Sequence, residues 1–447
     1  MPKPPIQRRR GRHSAKPQGP SLPKDPMEVT IFGIGAKGDG LGKDDSGHGY
    51  YVPYAAEGDV LKVRITGKRE NDYVGDISEI ITPGEHRIEA PCPYYTKCGG
   101  CNLQHIDKEA YAHWKSHKIA DSLKRSQINI NLDKPVLVGP HCRRRASFAV
   151  MKKGKKILFG FNAKGSHRIE EIDHCLLLSD PLNALIDALR NLMPLIMKRE
   201  GRGDIIVNYP GESADIVFAL PGPMEFKAHQ HLVTFAEKHN IGRLSWQQDG
   251  KGTPETIIQR CAVTTQFGDA LVELPTSPFL QPSKEGEVAL VEFALSALRN
   301  EKKILDLYAG CGSFTFALAK VGIVHAVESH APALKALELS AGRAGLGGRI
   351  TTEVRDLDRQ PLMGKELSKF DAILFDPPRA GAREQARFLA ESDVPVIIAI
   401  SCNPATFGRD AVALIEGGYT LERVMPVDQF TWSDHVEVAA IFRKDPK

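Results

Sequence analysis

The sequence predicts an α/β fold, in which a doubly wound parallel sheet is preceded by a small N-terminal β-barrel and a central α+β domain. Three observations lead to this prediction. From about residue 276, predicted strands and helices alternate; residues 27–87 contain short strands separated by glycines; and residues 88–275 mix strand-like and helical pieces. The 447 residues are 42% hydrophobic and 26% charged. This balance is typical of a globular protein of several domains and excludes a wholly disordered chain.

Residues 1–26 are expected to form a disordered basic tail. Residues 2–26 contain seven Lys and Arg side chains against one acid, Asp25, and they are rich in Pro and Gly. Such an arm suits phosphate contacts; a solvated solubility tail and a transit peptide are the alternatives. No apolar stretch follows the arginines, and the longest apolar run, 394–400, is too short to span a membrane. We therefore expect a cytoplasmic protein with no membrane partner.

Residues 27–87 are predicted to form a small antiparallel barrel. Apolar or alternating runs at 29–32, 49–53, 60–65 and 74–81 are separated by glycine-rich turns. Small five-stranded barrels often bind oligonucleotides on one face. A folded appendage without such a role is the alternative, because fold alone does not decide function.

The central region, 88–275, begins with a cysteine-rich loop. Cys92, Cys98 and Cys101 cluster there, whereas the other five cysteines are scattered. In a reducing compartment, clustered thiols indicate metal binding or catalysis rather than disulfides. Helices are predicted at 108–125 and 182–198.

The C-terminal domain, 276–447, is predicted from its alternating pattern. Helices are expected at 285–300, 313–321, 331–344, 383–391 and 404–417, and strands at 303–308, 324–328, 350–354, 370–375, 394–401, 421–427 and 436–443. Such alternation predicts a parallel sheet covered on both faces. Ligands should then lie at the carboxyl ends of its strands.

The first strand of this domain runs into a glycine-rich turn at 306–313, D-L-Y-A-G-C-G-S. Glycines after a strand let a nucleotide approach the backbone. Thr315 stands where a dinucleotide fingerprint needs Gly or Ala, which favours a nucleoside without pyrophosphate, such as S-adenosylmethionine. Glu328 ends the next strand and could accept both ribose hydroxyls; an exposed strand-end acid is the alternative.

Two later strands end in 375–381, F-D-P-P-R-A-G, and 400–404, I-S-C-N-P. The two prolines cannot continue a helix and should hold a rigid loop that aims Asp376 at a planar ring. Cys402 lies between an apolar strand and a helix N-terminus, where a thiol pKa is expected to be lowered. Cys402 is therefore a candidate nucleophile, with an inert buried cysteine as the alternative.

Near the C-terminus, Glu437 lies among apolar neighbours. Burial in that setting should raise its affinity for protons, as a general base requires. His435 and Asp434 are alternative bases.

These motifs, in this order, resemble those of the uridine-5 RNA methyltransferases that carry an N-terminal TRAM barrel. The resemblance rests on C-x5-C-G-G-C-x-L-Q-H at 92–105, L-Y-A-G-C-G at 307–312, F-D-P-P-R at 375–379, S-C-N-P at 401–404 and H-V-E at 435–437. It extends from about residue 27 to 443. It implies an OB-like TRAM barrel that binds RNA and a class I, Rossmann-like, S-adenosylmethionine-dependent methyltransferase domain at 276–447.

The resemblance implies that Cys92, Cys98, Cys101 and Cys175 bind a [4Fe–4S] cluster with a structural role. Zinc is the alternative, because thiolates suit both.

The resemblance also implies contacts to S-adenosylmethionine from Gln281, Tyr308, Ser313, Glu328, Asp356 and Asp376. Many members have Asn or Asp at the position of Ser313, and Val-Asn where Pro282-Ser283 stands. The implied reaction is methylation of uridine C5: Cys402 adds to C6, and Glu437 removes the C5 proton. The target base must leave its stack to reach Cys402.

The barrel and cluster together favour 23S rRNA as substrate, with tRNA as the alternative, and we expect a monomer. The sequence disfavours three other functions. An amino-methyltransferase needs no nucleophilic cysteine and has an aromatic residue where Arg379 stands. A non-catalytic RNA-binding protein would not need Cys402 and Glu437. A DNA cytosine-5 methyltransferase has Pro before its cysteine, whereas Ser401 is found here.

Overall fold

The computed structural model describes residues 22–444, and the chain divides into two compact units at Arg87 and Ile88. Most of the predicted basic tail, residues 1–21, lies outside the described residues. Within 22–444, no helix is both long enough and apolar enough to cross a membrane.

The first unit is a closed five-stranded barrel with the strand order β1-β2-β3-β5-β4. Its strands are β1 (Met27–Ile34), β2 (Asp39–Lys43), β3 (Gly49–Pro53), β4 (Val60–Arg69) and β5 (Asp72–Thr82). Alternate residues of β4, Leu61, Val63 and Ile65, point into the barrel core. The predicted five-stranded barrel is confirmed, but it is not wholly antiparallel, because β3 and β5 pair in parallel. Strand β2 was not predicted, because its sequence D-G-L-G-K carries two glycines that are typical of a turn.

The second unit contains two large sheets. Its first elements are α1 (Lys108–Arg125), β6 (Val136–Leu137), β7 (Arg145–Lys153), β8 (Lys156–Asn162), β9 (Ile169–Glu170), α2 (Asp180–Ile196), β10 (Gly201–Asn208), β11 (Ala214–Leu220), α3 (Phe226–Lys238), β12 (Ile241–Gln248) and β13 (Glu255–Gln259). Strands β7 to β13 form a seven-stranded sheet in the order β13-β12-β11-β10-β7-β8-β9. The apolar faces of α2 and α3 share one hydrophobic core with this sheet. A hairpin of β14 (Thr264–Phe267) and β15 (Ala270–Glu273) follows.

The second sheet has eight strands in the order β18-β17-β16-β19-β20-β22-β21-β6. The remaining elements of the second unit are α4 (Lys284–Ser296), β16 (Lys303–Leu307), α5 (Thr315–Leu318), β17 (Ile323–Glu328), α6 (Ala331–Arg343), β18 (Ile350–Val354), a 3₁₀ helix at Gly364–Lys369, β19 (Ala372–Phe375), α7 (Arg383–Ala390), β20 (Val396–Ser401), α8 (Pro404–Glu416), β21 (Thr420–Asp428) and β22 (Glu437–Arg443). Strands β16 to β20 are parallel. Alternate residues of β20 belong to two separate hydrophobic cores, so the sheet is covered on both faces, as predicted.

Strand β6 belongs to this second sheet and helix α1 packs against it, although both lie within the predicted central region 88–275. Ile119 and Leu123 of α1 share a core with β20 and β22, and β6 pairs with the end of β21. The proposed division at 275/276 therefore stays a prediction, and it does not describe how residues 108–137 pack.

Candidate active site

The predicted site residues follow the carboxyl ends of neighbouring parallel strands. Tyr308 follows β16, Asp376 follows β19 and Cys402 follows β20, while Glu328 is the last residue of β17. These four strands are adjacent in the sheet, in the order β17-β16-β19-β20. Their ends therefore bring the four side chains to one edge, where open α/β sheets bind ligands.

The glycine-rich turn after β16 forms a cradle with open space beside it. Gly310 has φ +56°, and apart from its two chain neighbours no residue in 22–444 has an atom within 4 Å of the place where its Cβ would stand. Its backbone N–H donates to Glu328 Oε2 at 3.0 Å. Gly312, at φ +99°, differs, because a Cβ there would come within 2.7 Å of the Phe316 ring. The first glycine leaves room for a ligand and the second leaves room for the helix behind it.

Glu328 is held in a fixed orientation. Its Oε1 accepts hydrogen bonds from the backbone of His330 at 2.7 Å and from Ser329 Oγ at 3.0 Å. Together with the bond from Gly310, these contacts preorganise a carboxylate beside the cradle. Oε2, which accepts only the bond from Gly310, retains a lone pair that could accept a ligand hydroxyl.

The remaining predicted cofactor contacts differ in their surroundings. Tyr308 has φ +62°, and burial together with the nearby Asp358 carboxylate raises its pKa well above the usual range. Ser313 is half-buried in the cradle turn. Asp356 follows the edge strand β18 and is exposed; its Oδ1 accepts from the backbone of Asp358 at 3.1 Å.

Asp306 is a buried acid behind the cradle that the sequence analysis did not single out. It is fully buried, its Oδ2 accepts from Thr315 Oγ1 at 2.5 Å, and its Oδ1 has no hydrogen-bond partner among the described residues. Burial, with the charges of Asp376 and Glu328, raises its pKa to about 7. Thr315 stands where a dinucleotide fingerprint needs Gly or Ala, and its hydroxyl binds this acid. The motif began at Asp306, but nothing in the sequence showed where its side chain points.

Asp376 is oriented by Gln281 from a distant part of the chain. Gln281 Nε2 donates to Asp376 Oδ2 at 3.2 Å. Burial raises the pKa of Asp376 to about 7, and the Gln281 amide opposes that rise. The structure therefore brings two of the predicted cofactor residues into direct contact.

Cys402 and Glu437 meet because of the register between β20 and β22. These strands are antiparallel, and Ser401 pairs with Val438. The next residues of the two strands, Cys402 and Glu437, therefore lie together at the edge of the sheet. Glu437 is buried, and its charge is among the causes that raise the pKa of Cys402.

The prediction that the pKa of Cys402 is lowered is wrong for the protein alone. Cys402 does lie between β20 and α8, and Asn403 caps that helix. Burial, together with the carboxylates of Glu437 and Asp376, nevertheless raises the pKa of the thiol to about 11. Arg379 acts in the opposite direction without reversing the shift. Desolvation and two acids outweigh the helix terminus.

The predicted rise in the proton affinity of Glu437 is confirmed. Burial and the charge of Asp376 raise its pKa to about 8, and a hydrogen bond from Gln429 Nε2 at 3.3 Å opposes that rise. The alternative bases lie on the loop before β22. The pKa of His435 is lowered, mainly by burial, and the backbone oxygen of Asp434 accepts from Lys118.

The loop between β21 and β22, residues 429–436, rests on α1. Lys115 is fully buried and donates to Asp428 Oδ1 at 2.8 Å, and Tyr111 donates to Asp428 Oδ2 at 2.5 Å. Lys115 also donates to the backbone oxygen of His435. The sequence did not reveal this contribution, because α1 and the loop are far apart in the chain. Lys115 and Asp428 are separated by 313 positions.

The four predicted metal-binding cysteines are close enough to affect one another. Burial, followed by the charges of Cys175 and Cys92, raises the pKa of Cys98 to about 11. Cys101 is affected in the same way by burial and the other three thiols, and its pKa is raised to about 12. In residues 22–444, however, no group of three or more His, Cys, Asp and Glu side chains is arranged to hold a metal ion. The cluster therefore stays a prediction.

Comparison with known proteins identifies the family. Residues 264–445 match the family described as tRNA (Uracil-5-)-methyltransferase. An uncharacterized RNA methyltransferase of Mesorhizobium japonicum is 38% identical to this chain, over 93% of this chain and 97% of the relative. The 23S rRNA (uracil(1939)-C(5))-methyltransferase RlmD of Chromohalobacter salexigens is 32% identical, over 93% of this chain and 89% of its own. The chain belongs to the RNA (uracil-5-)-methyltransferase family.

A solved structure shows the same fold. The tRNA (uracil-54, C5)-methyltransferase of Pyrococcus abyssi, in complex with S-adenosyl-L-homocysteine, has a TM-score of 0.72 to this chain at 20% identity. The match covers 93% of this chain and 99% of the other. The chain is thus an S-adenosylmethionine-dependent RNA uracil-C5 methyltransferase. The predicted methyltransferase fold with an N-terminal five-stranded barrel is confirmed.

Proposed function

We propose that this enzyme methylates C5 of a uridine in 23S rRNA through a covalent bond between Cys402 and C6 of the base. The observation that carries the mechanism is the meeting of Cys402 and Glu437 at adjacent strand ends. A nucleophile and a buried acid are then within one site, as addition and later proton removal require. The relative that acts on 23S rRNA is 32% identical over almost the whole chain, which favours ribosomal RNA.

The covalent step turns C5 of the uracil from a weak nucleophile into a strong one. Uracil C5 attacks a methyl group poorly. When the Cys402 thiolate adds to C6, a bond forms between Sγ and C6, and the C5=C6 electron pair moves into an enolate over C5 and O4. S-adenosylmethionine, when bound, supplies the methyl group that C5 attacks. Glu437 beside this charge is buried, and burial strengthens its electrostatic interactions.

Glu437 completes the reaction in this proposal. After methylation, C5 carries both the new methyl group and its original proton. The Glu437 carboxylate removes that proton, the electron pair restores the C5=C6 bond, and Cys402 leaves as a thiolate. The proton then resides on Glu437, whose raised pKa suits it to hold one near neutral pH.

The residues around the cradle fit the methyl donor. The open space beside Gly310 admits a nucleoside, and the oriented Glu328 carboxylate can accept ribose hydroxyls. We propose that Tyr308, Ser313 and Asp356 complete the nucleoside contacts, and that Gln281 and Asp376 face the reacting end. A bound sulfonium cation would also lower the raised pKa values of Glu437 and Cys402, because an opposite charge favours the ionised form of each.

We further propose that Cys92, Cys98, Cys101 and Cys175 bind a [4Fe–4S] cluster. Their mutual influence on pKa and a backbone N–H from Gly100 directed at Cys98 Sγ at 3.4 Å support a shared thiolate site. Four thiolates would satisfy the cluster, so its role would be structural.

The five-stranded barrel is proposed to be a TRAM barrel that contacts the RNA. Its surface pairs cations with aromatic rings: Lys68 lies over Tyr73 at 4.9 Å, and Arg69 lies over Tyr51 at 4.7 Å. Such pairs can follow a phosphate backbone and stack on bases. We propose that the enzyme acts as a cytoplasmic monomer.

A tRNA uridine is the second candidate substrate. It is favoured by the description of the matching family and by the substrate of the structurally similar Pyrococcus abyssi enzyme. At 20% identity that similarity concerns the fold, so we place ribosomal RNA first.

The test is to give the purified enzyme labelled S-adenosylmethionine with 23S rRNA and tRNA transcripts separately, and to map 5-methyluridine. We expect one labelled uridine in 23S rRNA with the wild type and none with Cys402→Ala, while Cys261→Ala, at an exposed cysteine, remains active. Label in tRNA alone would establish the second candidate. Turnover by Cys402→Ala would refute the covalent mechanism.

A further inference from the structure

Three amide hydrogen bonds connect Glu437 to Asp376. Gln429 Nε2 donates to Glu437 Oε1 at 3.3 Å and to Gln281 Oε1 at 2.6 Å. Gln281 Nε2 donates to Asp376 Oδ2 at 3.2 Å. The side chains of Gln281, Gln429 and Glu437 are all buried, so water does not compete for the two bonds that Gln429 donates.

The orientation of both amides follows from the acids at the two ends. An ionised carboxylate can only accept, so each end of the chain requires an NH₂ group. Gln429 must therefore turn its nitrogen toward Glu437, and Gln281 must turn its nitrogen toward Asp376. The oxygen of Gln281 is then left to accept the second N–H of Gln429. When both acids are ionised, as they must be for Glu437 to accept a proton, no other arrangement of the two amides satisfies both carboxylates.

Packing prevents Gln429 from leaving this position. Gly286 of α4 faces it so closely that a Cβ there would lie 2.6 Å from Gln429 Oε1 and 2.7 Å from its Cβ. That Oε1 is buried and has no partner among the described residues. An unsatisfied buried oxygen costs free energy, which indicates that the amide is held for the bonds on its nitrogen.

Gln281 is equally fixed, because Arg145, the first residue of β7, and Arg144, just before it, both bind the backbone around Gln281. Arg144 Nε donates to the Gln281 carbonyl at 2.9 Å, and Arg145 donates to the Leu280 carbonyl at 2.8 Å. Arg144 is itself paired with the buried Glu287 at 2.5 Å. Gln429 therefore hydrogen-bonds to a rigid acceptor.

We propose that Gln429 is a positioning residue for the proton transfer to Glu437: it binds Oε1, favours the ionised carboxyl and leaves Oε2 to take the proton from C5. This inference rests on the proposed function and adds a residue to it. In this proposal Gln281 also orients Gln429, by accepting a hydrogen bond from its amide nitrogen.

The charges that face Glu437 show why such a donor is needed. Asp376, after β19, raises the pKa of Glu437, and Cys402, after β20, would do so as a thiolate. Gln429, at the end of β21, acts in the opposite direction by hydrogen bonding to the carboxyl. Without Gln429, Glu437 would lose a group that stabilises its basic form.

The test measures the covalent adduct separately from product. Gln429→Met removes both N–H groups at similar volume, and Gln259→Met, at an exposed glutamine of β13, is the matched control. Loss of one hydrogen bond to a charged group should slow adduct resolution about tenfold to a hundredfold. We expect Gln429→Met to form the RNA–protein adduct, to accumulate it at neutral pH, and to need a higher pH than the control for the same turnover.

Adducts that resolve at the control rate, with an unchanged pH profile, would overturn the role of Gln429. If the wild type itself forms no adduct, the proposed function fails instead, so the two failures are distinguishable. Gln429→Glu is the second variant, because it keeps the shape of the side chain and replaces the donor by an acceptor. It should show the same delay and the same alkaline shift, and wild-type behaviour would likewise overturn the inference.

Discussion

At the scale of single residues, Glu437 is kept mostly protonated at neutral pH by its surroundings. Burial and the charge of Asp376 raise its pKa to about 8. Only the ionised form can take the C5 proton, so the active fraction increases as the pH rises through that value. The same surroundings raise the pKa of the Cys402 thiol, whose reactive form is also the ionised one.

Turnover is therefore expected to increase as the pH is raised from mildly acidic through about 8. Both groups have raised pKa values, and both act in their deprotonated forms, so their effects have the same sign. The measurement is kcat as a function of pH at saturating RNA and S-adenosylmethionine, because Glu437 acts after methyl transfer and therefore affects kcat. A rate that falls over this range would contradict the assignment of Glu437 as base.

The sequence located Cys402 and Glu437 and predicted the raised proton affinity of Glu437, but it did not predict the raised pKa of Cys402. Cys402 follows an apolar strand and Glu437 begins one, positions that periodicity and motif reveal. The pKa of Cys402 depends on which acids come near it, and the acids nearby belong to two other strands. Gln429 and Asp306 were missed for a related reason: a glutamine after a strand and an acid inside one carry no spacing that indicates a partner.

At the scale of elements, α1 supports the loop that leads into β22. Lys115 and Tyr111 bind Asp428 at the start of the loop, and Tyr111 Oη accepts from the backbone of Trp432 at 2.8 Å. The backbones of Asn102 and Leu103, next to the cysteine loop, both donate to the Trp432 carbonyl. The segment before Glu437 is thus fastened by the part of the chain that precedes the seven-stranded sheet.

Removing Lys115 should destabilise the protein strongly. Lys115→Met leaves Asp428 buried without its cation, and breaking one side of a buried ion pair typically costs about 3–5 kcal/mol. Lys124→Met, at an exposed position of the same helix, should change the free energy of unfolding by less than about 0.5 kcal/mol. Denaturant unfolding of the full chain, followed by tryptophan fluorescence, compares the two. Equal midpoints would show that the buried pair does not stabilise this unit.

The sequence predicted helices well where a cap and a regular apolar face coincide, and less well elsewhere. Helix α1 was predicted with its observed bounds, because Asp107 caps it by accepting from the Ala110 backbone. The helix predicted at 313–321 is only α5, four residues long, because glycines precede it. Helix α3 was missed, since Glu225 at its start makes no side-chain cap. Strand β12 was missed because the buried Arg243, paired with Asp215, interrupts its apolar pattern.

At the scale of the whole molecule, the four cysteines Cys92, Cys98, Cys101 and Cys175 are proposed to add an iron–sulfur cluster to the enzyme. Anaerobically purified enzyme is expected to contain iron and acid-labile sulfide and to absorb as an iron–sulfur protein. Cys101→Ser should lose both, whereas Cys261→Ser, at an exposed cysteine, should keep them. A colourless protein containing zinc in both variants would replace the cluster by the zinc alternative.

The architecture was predictable because strand–helix alternation and ordered motifs cover most of the chain. The packing of residues 108–137 was not, since it depends on contacts across about 300 residues, such as the pair of Lys115 with Asp428. The RNA substrate was not predictable from the site either. The side chains at the carboxyl ends of β16, β17, β19 and β20 explain how a uracil would be methylated. The choice between RNAs depends on surfaces away from these strand ends.

The central claim, that Cys402 bonds to C6 of the target uridine, is tested most directly with RNA transcribed with 5-fluorouridine. Fluorine at C5 leaves no proton for Glu437 to remove, so the adduct cannot resolve. We predict that the wild type, given S-adenosylmethionine, forms an adduct that survives denaturation, and that peptide mass spectrometry places the base on Cys402. An RNA that is methylated without any such adduct, or an adduct on another residue, would contradict the account.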